Sequence, residues 1–466
     1  MLVGVRIKKF VLLVALLLAI STALANPAGA LLSPEEETEL GARFLYSIKS
    51  QYEFADYPYI VQYINDLGTY IGRQIEVPYF PLTFYVVNKN IINAFAAPGG
   101  HVFIFSNLVI ILDDVDELAC ILAHELGHVS ARHLASSIER SKKIGMATMA
   151  GVLAGILVGG KAAGPLVTGS IAAGVQAELG YSREDERQAD QIGFKYADIS
   201  GFHPQGMVSV LKKLQREQWY GGEGVPSYML THPGAPERMA NIEVMLHGYN
   251  KMPDPDKTTQ LRSRFPLFHT MVMALCMDKE AAIREFEARL LANPQSAMAH
   301  YGLGLALERD GRVADALDHL KSALKVESYS IPILFTTANA YLTIGQYEDS
   351  ISVLQKALER DPKDKEILFL YALSLQNLEQ YSQAAKIYER LTFLTPVKDM
   401  VYYNLGLVLG RQGNLALAHY NLGIYSTKRK EKEKALFHFK KAEELASHDA
   451  ALREKINRAL KDLEKF

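Results

Sequence analysis

Three things are scarce in this chain, and each scarcity narrows what the chain can be. Among 466 residues only Cys120 and Cys276 are cysteines, so no dense disulfide framework can hold the fold. Charge of one sign is missing: 50 basic residues against 52 acidic ones leave a net charge of -2, and nothing marks a nucleic-acid binder. The N-terminal apolar run, Phe10 to Ile20, falls short of the about 20 residues that a bilayer span needs. No cysteine stands at the end of that run, which argues against a lipid anchor.

That short run reads as an export signal. Arg6, Lys8 and Lys9 give a positive start, the apolar stretch follows, and Ala23-Leu24-Ala25 offers small residues for cleavage. Residues 1–25 are expected to be a signal peptide and the mature chain to work in the periplasm. Length predicts about three domains of ~150 residues each.

The rest of the chain is organised around Leu118 to Arg132, LACILAHELGHVSAR. Asp113, Asp114 and Asp116 precede it, and acidic residues suit the positive end of a helix dipole. His124 and His128 stand four apart, one face of a helix, so both can direct ring nitrogens at one metal ion. Glu125 stands one step round, suited to take a proton from a water and poorly placed to be a ligand. Zinc held by two imidazoles and a carboxylate keeps an open position and brings a bound water to a pKa of about 7. The plainer alternative, an ordinary amphipathic helix, would bury two unpaired histidines at a cost.

A third ligand is expected at Glu186. It stands four before Asp190 in Tyr181 to Asp190, YSREDERQAD, again one helical face. Asp190 would then accept a hydrogen bond from the remote nitrogen of His124 or His128. Glu184 competes for the same role but has no aspartate four residues on. Cys120 reads as a small apolar residue of the core.

Around these motifs the chain predicts helices at Pro34 to Ile48, capped by Ser33, and at Tyr59 to Ile75. It predicts a strand at Leu82 to Val87 and a hairpin from Asn93 to Phe105 turning at Pro98-Gly99-Gly100. In zinc proteases such a hairpin strand lies beside the cleft. Asn93, Ala94, Phe95 and Ala96 are expected to pair with a substrate backbone. His101 reads as a hairpin histidine and His203 as a turn residue, neither as a ligand. The Gly/Ala-rich stretch Ile144 to Ala177 is broken by Lys161 and Pro165, so helices near the site with peripheral membrane contact are expected over 144–177, not a spanning hairpin.

Pro253-Asp254-Pro255-Asp256 marks a boundary. Beyond it Gly304, Ala338, Ala372 and Gly406 recur every 34 residues, with Ala316, Ser350, Ala384 and Ala418 in step 12 later. That period with small residues at helix crossings predicts tetratricopeptide repeats, stacked helix pairs that bury a shared core. Gly423 and Ala435 restart the pattern half a repeat on, and Lys428 to Lys434 reads as a solvated turn.

NAFAAPGG, HELGHVSARH, YSREDERQADQIG and THPGAPERM together resemble the gluzincin family that includes the HtpX-like and CAAX-prenyl-type proteases. The resemblance implies a zinc endopeptidase with His124, His128 and Glu186 as ligands and Glu125 as base. It also implies that His232 and Arg238 reach over the cleft to stabilise the oxyanion. In exported, repeat-bearing members the equivalent histidine can instead sit on the zinc and silence it, which is carried here to His232. Where the family has Glu-Ala-Asp, this chain has Gln188-Ala189-Asp190. The likeness to exported members further implies action on misfolded or stalled outer-membrane proteins, with the repeats docking the assembly machinery or the client. The expected architecture is mainly α. An α+β metalloprotease domain with a small sheet (26–252) precedes an all-α tetratricopeptide solenoid (263–466).

Overall fold

The computed structural model describes residues 32–140, 181–220, 227–250, 255–447 and 449–464. The expected signal peptide and the 144–177 stretch lie outside them. No helix of the described residues is long and apolar enough to cross a membrane. The chain divides into two compact units, one ending at Phe265 and one beginning at Pro266.

In the first unit, α1 (Pro34–Gln51) starts at a capping box. Ser33 accepts from the Glu36 amide while Glu36 reaches back to the Ser33 amide. Helix α2 (Pro58–Gly72) follows. Three short strands come next, β1 (Thr83–Val87), β2 (Ala94–Ala97) and β3 (His101–Phe105), and then α3 (Ser106–Ile110). The hairpin forms as expected, with β2 antiparallel to β3. Strand β1 pairs parallel with β3, so β3 is central. The turn needs glycine: Gly99 and Gly100 have φ of 75° and 80°, and a Cβ on Gly100 would lie 2.6 Å from the Pro81 carbonyl oxygen. Phe44 of α1 packs edge-on to Phe95 and Phe103, which joins the helix to the hairpin in one apolar core.

The motif helix is α4 (Val115–Ser130), N-capped by Asp114 accepting from the Glu117 amide. It is buried from Leu118 to His128. Helix α5 (His133–Arg140) follows. Helix α6 (Arg183–Ile199), with a Ser182 and Asp185 capping box, lies tightly against α4. A Cβ on Gly127 would come within 2.8 Å of the Ala189 carbonyl oxygen, and one on Gly193 within 3.0 Å of the His124 backbone. Helices α7 (Gln205–Tyr220), α8 (Ser227–Thr231), α9 (Ala235–Leu246) and α10 (Pro255–Cys276) complete the order up to the second unit. Cys120 is buried, with its Sγ 3.5 Å from the His203 carbonyl oxygen; no disulfide joins it to Cys276.

The second unit is a run of helix pairs. It comprises α11 (Lys279–Ala292), α12 (Ala297–Arg309), α13 (Val313–Val326), α14 (Ile331–Thr343), α15 (Tyr347–Arg360) and α16 (Lys365–Asn377). It continues through α17 (Tyr381–Leu391), α18 (Asp399–Arg411), α19 (Leu415–Lys428), α20 (Lys432–Leu445) and α21 (Ala450–Glu464). The small residues of the 34-residue period sit where paired helices cross. A Cβ on Gly304 would meet Leu320 at 2.8 Å, and Ser350 Oγ donates to the Ala338 carbonyl at 2.9 Å. The fold is mainly α with a small sheet and a tetratricopeptide-like helical array. Of the repeat aromatics, Tyr301 is fully buried and Phe335, Tyr371 and Tyr403 are half-buried.

If the α4–α6 contact depends on having no side chain, Gly193→Ala loses about 1–3 kcal/mol of stability. Gly410→Ala, whose methyl would meet Ala418 at an ordinary 3.8 Å, loses none. Urea unfolding of the two variants checks this.

Candidate metal centre

Four donors from three segments converge. His124 Nε2 and His128 Nε2 lie 3.1 Å apart. The Glu186 carboxylate, from the first turns of α6, lies 3.5 Å from each. His232, just beyond α8, places Nδ1 3.0 Å from Glu186 and 3.4 Å from His124 Nε2. One donor atom from each of the four lies within 4.8 Å of the others, and all four residues are buried. Glu184, the competing candidate, is exposed and pairs with Arg187.

The remote nitrogens are held as well. His124 Nδ1 is 2.9 Å from Asp190. Asp190 receives two bonds from Arg238, at 2.7 and 2.8 Å, and Arg238 Nη1 lies 2.9 Å from Glu186. Arg238 therefore sits behind the donors, bridging the two α6 carboxylates. Those two carboxylates take up its guanidinium, whose Nη2 also lies 3.3 Å from His124 Nδ1, so here it braces them.

Electrostatics follow this arrangement. Burial raises Glu186, but the charges of His232 and Arg238 and bonds from both α4 histidines hold its carboxyl well below the usual range. Asp190, against the same burial, is brought down to about 2 by Arg238 and His124. Burial disfavours a charge on His124, yet Asp190 and Glu186 lift it to about 9. Glu125 is the exception. Burial pushes its carboxyl up, and among the described residues neither oxygen has a hydrogen-bond partner; His232 Nε2 stands 3.7 Å away.

The predicted substrate segment Asn93 to Ala96 runs beside the cluster and is fully buried. Its outer edge is occupied by the segment that carries His232. The Tyr228 amide donates to the Ile92 carbonyl at 3.1 Å, and Thr231 Oγ1 lies 3.4 Å from Asn93 Oδ1. His232 Nε2 donates to the Ala94 carbonyl at 3.3 Å. With the ring proton on Nε2, the Nδ1 lone pair is free to face an ion held beside Glu186 and His124. Beside His128, a cavity bounded by Ala96, Ala97, Arg132 and Tyr181 holds about 10 Å³, room for roughly one water.

Residues 61–246 match peptidase family M48, and residues 278–329 and 341–400 match tetratricopeptide repeats. The chain carries an M48 peptidase domain followed by tetratricopeptide repeats. The beta-barrel assembly-enhancing protease of Yersinia pestis is 28% identical, over 80% of this chain and 77% of its own. The protein of that name from Escherichia coli K12 is 25% identical, over 86% and 90%. The mitochondrial metalloendopeptidase OMA1 of Saccharomyces cerevisiae is 26% identical, over 38% of this chain and 50% of its own. The chain is thus a metalloendopeptidase by class, and its M48 domain implies a metal ion. The four buried donors and the unpartnered Glu125 carboxylate fit such an ion.

The M48 cluster also includes residues that sequence reasoning passed over. His133, five after His128, places its Nδ1 2.9 Å from His128 Nδ1, and its Nε2 lies 2.9 Å from Gln188 Oε1. The Gln188 carbonyl accepts from His133 Nε2, so His133 Nδ1 accepts from His128 Nδ1. The lone pair of His128 is thereby directed from Nε2 into the cluster. The residue that departs from the family pattern is thus tied to a metal-helix histidine through one intermediary. The only sequence signal was the final histidine of HELGHVSARH. Tyr181 stacks on His128 at 3.8 Å and Tyr228 on His232 at 4.4 Å. These rings hold two of the imidazoles edgewise to the site.

Replacing His133 by Phe removes the partner of His128 Nδ1 and keeps a ring of similar size. Metal affinity is expected to fall 10- to 100-fold, measured by competition with a chromophoric chelator, with the helical circular dichroism unchanged.

Proposed function

We propose that this chain is a periplasmic zinc endopeptidase that degrades misfolded or stalled outer-membrane proteins and assists their assembly, and that its cleft is gated by the His232 segment. The unpartnered, fully buried Glu125 carboxylate beside three imidazoles and Glu186 carries the chemical part. The names of the relatives aligned over most of the chain, and the export signal read from residues 1–25, support the cellular part.

In this reading His124, His128 and Glu186 hold Zn2+, and Asp190 and Arg238 keep His124 and Glu186 in place. When bound, zinc supplies Lewis acidity, which acidifies a water molecule and polarises an amide carbonyl. Glu125, kept out of water and free of competing donors, takes the proton of the attacking water and delivers it to the leaving nitrogen. His232 Nε2 stands 3.7 Å from Glu125, so the segment that carries it lies directly over the reacting groups.

The segment must move, because its bonds to the Ile92 and Ala94 carbonyls occupy the edge that an extended substrate would use. We assign cleavage to residues 26–252 and docking of client or assembly machinery to 263–466. The second reading is a repeat scaffold whose metal site stays silent, and it draws on the same His232 contacts.

Cleavage of a loosely folded barrel protein by the mature chain separates the two. Glu125→Gln is expected to lose about 10²–10⁴-fold in rate, while His232→Ala cleaves faster than the unaltered chain or loses its restraint. If unaltered and His232→Ala chains are both inert with zinc bound, the endopeptidase reading fails.

A further inference from the structure

Two histidine pairs occupy matching places in the repeat unit, outside the M48 domain. His300 on α12 and His319 on α13 bring their Nδ1 atoms to 3.0 Å. His419 on α19 and His438 on α20 do the same, also at 3.0 Å. In each case the first histidine stands four residues before the crossing glycine, Gly304 or Gly423. The second stands three after the crossing alanine, Ala316 or Ala435. The intervening hairpins fill these slots differently, with Leu334 and Val353, Leu368 and Ile387, and Tyr402 and Asn421. Aliphatic side chains therefore suffice for packing at this place, and packing does not call for imidazole. Four of the six histidines beyond Pro266 nonetheless lie in these two slots.

From these paired Nδ1 atoms we infer that each histidine pair is a binding site for a divalent transition-metal ion of the Zn2+, Ni2+ or Cu2+ class. Imidazole is the natural ligand for these ions. Two nitrogens about 2.0–2.1 Å from a tetrahedral ion lie roughly 3.3 Å apart, so each pair opens by only a few tenths of an ångström. The two metal-helix histidines of the M48 cluster show the same spacing, 3.1 Å. His300 is also oriented as a ligand is. Its Nε2 lies 3.1 Å from the Pro294 carbonyl and donates to it, which leaves a lone pair on Nδ1. All four rings are half-buried, so an ion can arrive from solvent while most of each ring stays packed.

The proton count closes. With the His300 proton on Nε2, His319 carries its own on Nδ1 and donates it across the pair. When the ion binds, that proton moves through water to His319 Nε2, and both Nδ1 lone pairs face the metal with no net proton released. Water fills the remaining positions on the ion.

The test uses the full chain, first loaded with Zn2+, and Cu2+ as the probe. Bound Cu2+ is counted by equilibrium dialysis, and its ligands are read by electron paramagnetic resonance. His319→Val and His438→Ile place in each slot the residue that Val353 and Ile387 supply in neighbouring hairpins, so the fold, checked by circular dichroism, is retained. The unaltered chain is expected to take up two more equivalents of Cu2+ than the double variant, with two-imidazole hyperfine structure. Each single variant should lose one equivalent. Equal uptake and identical spectra from the unaltered chain and the double variant would overturn the inference.

Discussion

The close approach of α4 and α6 is the constraint on which the rest of the first unit depends. A helix can place two histidines on one face by itself. It cannot supply a third donor and brace it at the same depth. Here Gly127 and Gly193 let two backbones nearly touch, and that contact carries Glu186 to within 3.5 Å of both imidazoles. It also aligns Asp190 with His124 one turn further along. A larger residue at either glycine would separate the helices by more than the tolerance of a metal site.

Burial of this much charge is sustained by pairing. Glu186 and Asp190 share Arg238, and the imidazoles share the carboxylates. An isolated buried carboxylate would cost several kcal/mol and would take up a proton instead. Of the cluster's carboxylates, only Glu125 has neither oxygen hydrogen-bonded among the described residues. A network that satisfies its neighbours and leaves one carboxylate unpaired suits a group whose task is to accept a proton.

What the sequence made legible was what is local. The HExxH spacing, the four-residue step from Glu186 to Asp190, the Pro98 to Gly100 turn and the 34-residue period each encode geometry within one element or one hairpin. Long-range arrangements were not legible. Nothing in Leu82 to Val87 indicates parallel pairing with β3, because the partner lies beyond the intervening β2 strand and turn. Gln188 looked neutral as a departure from the family pattern, since its link to His128 runs through His133, 55 residues away in the chain. Arg238 was readable as a cation near the site. Its direction was set by two carboxylates on another helix. The covering of β2 by the His232 segment likewise rests on contacts more than a hundred residues apart.

A gated centre is defined by which atoms hold the ion at rest. Zinc-edge X-ray absorption on the purified full chain reads this directly, with the histidine-pair sites kept empty by the His319→Val/His438→Ile substitutions. Three imidazole nitrogens and one carboxylate oxygen around each zinc, falling to two nitrogens in His232→Ala, is the predicted result. A spectrum unchanged by loss of His232, or a first shell without two imidazoles, would contradict the gated metal centre described here.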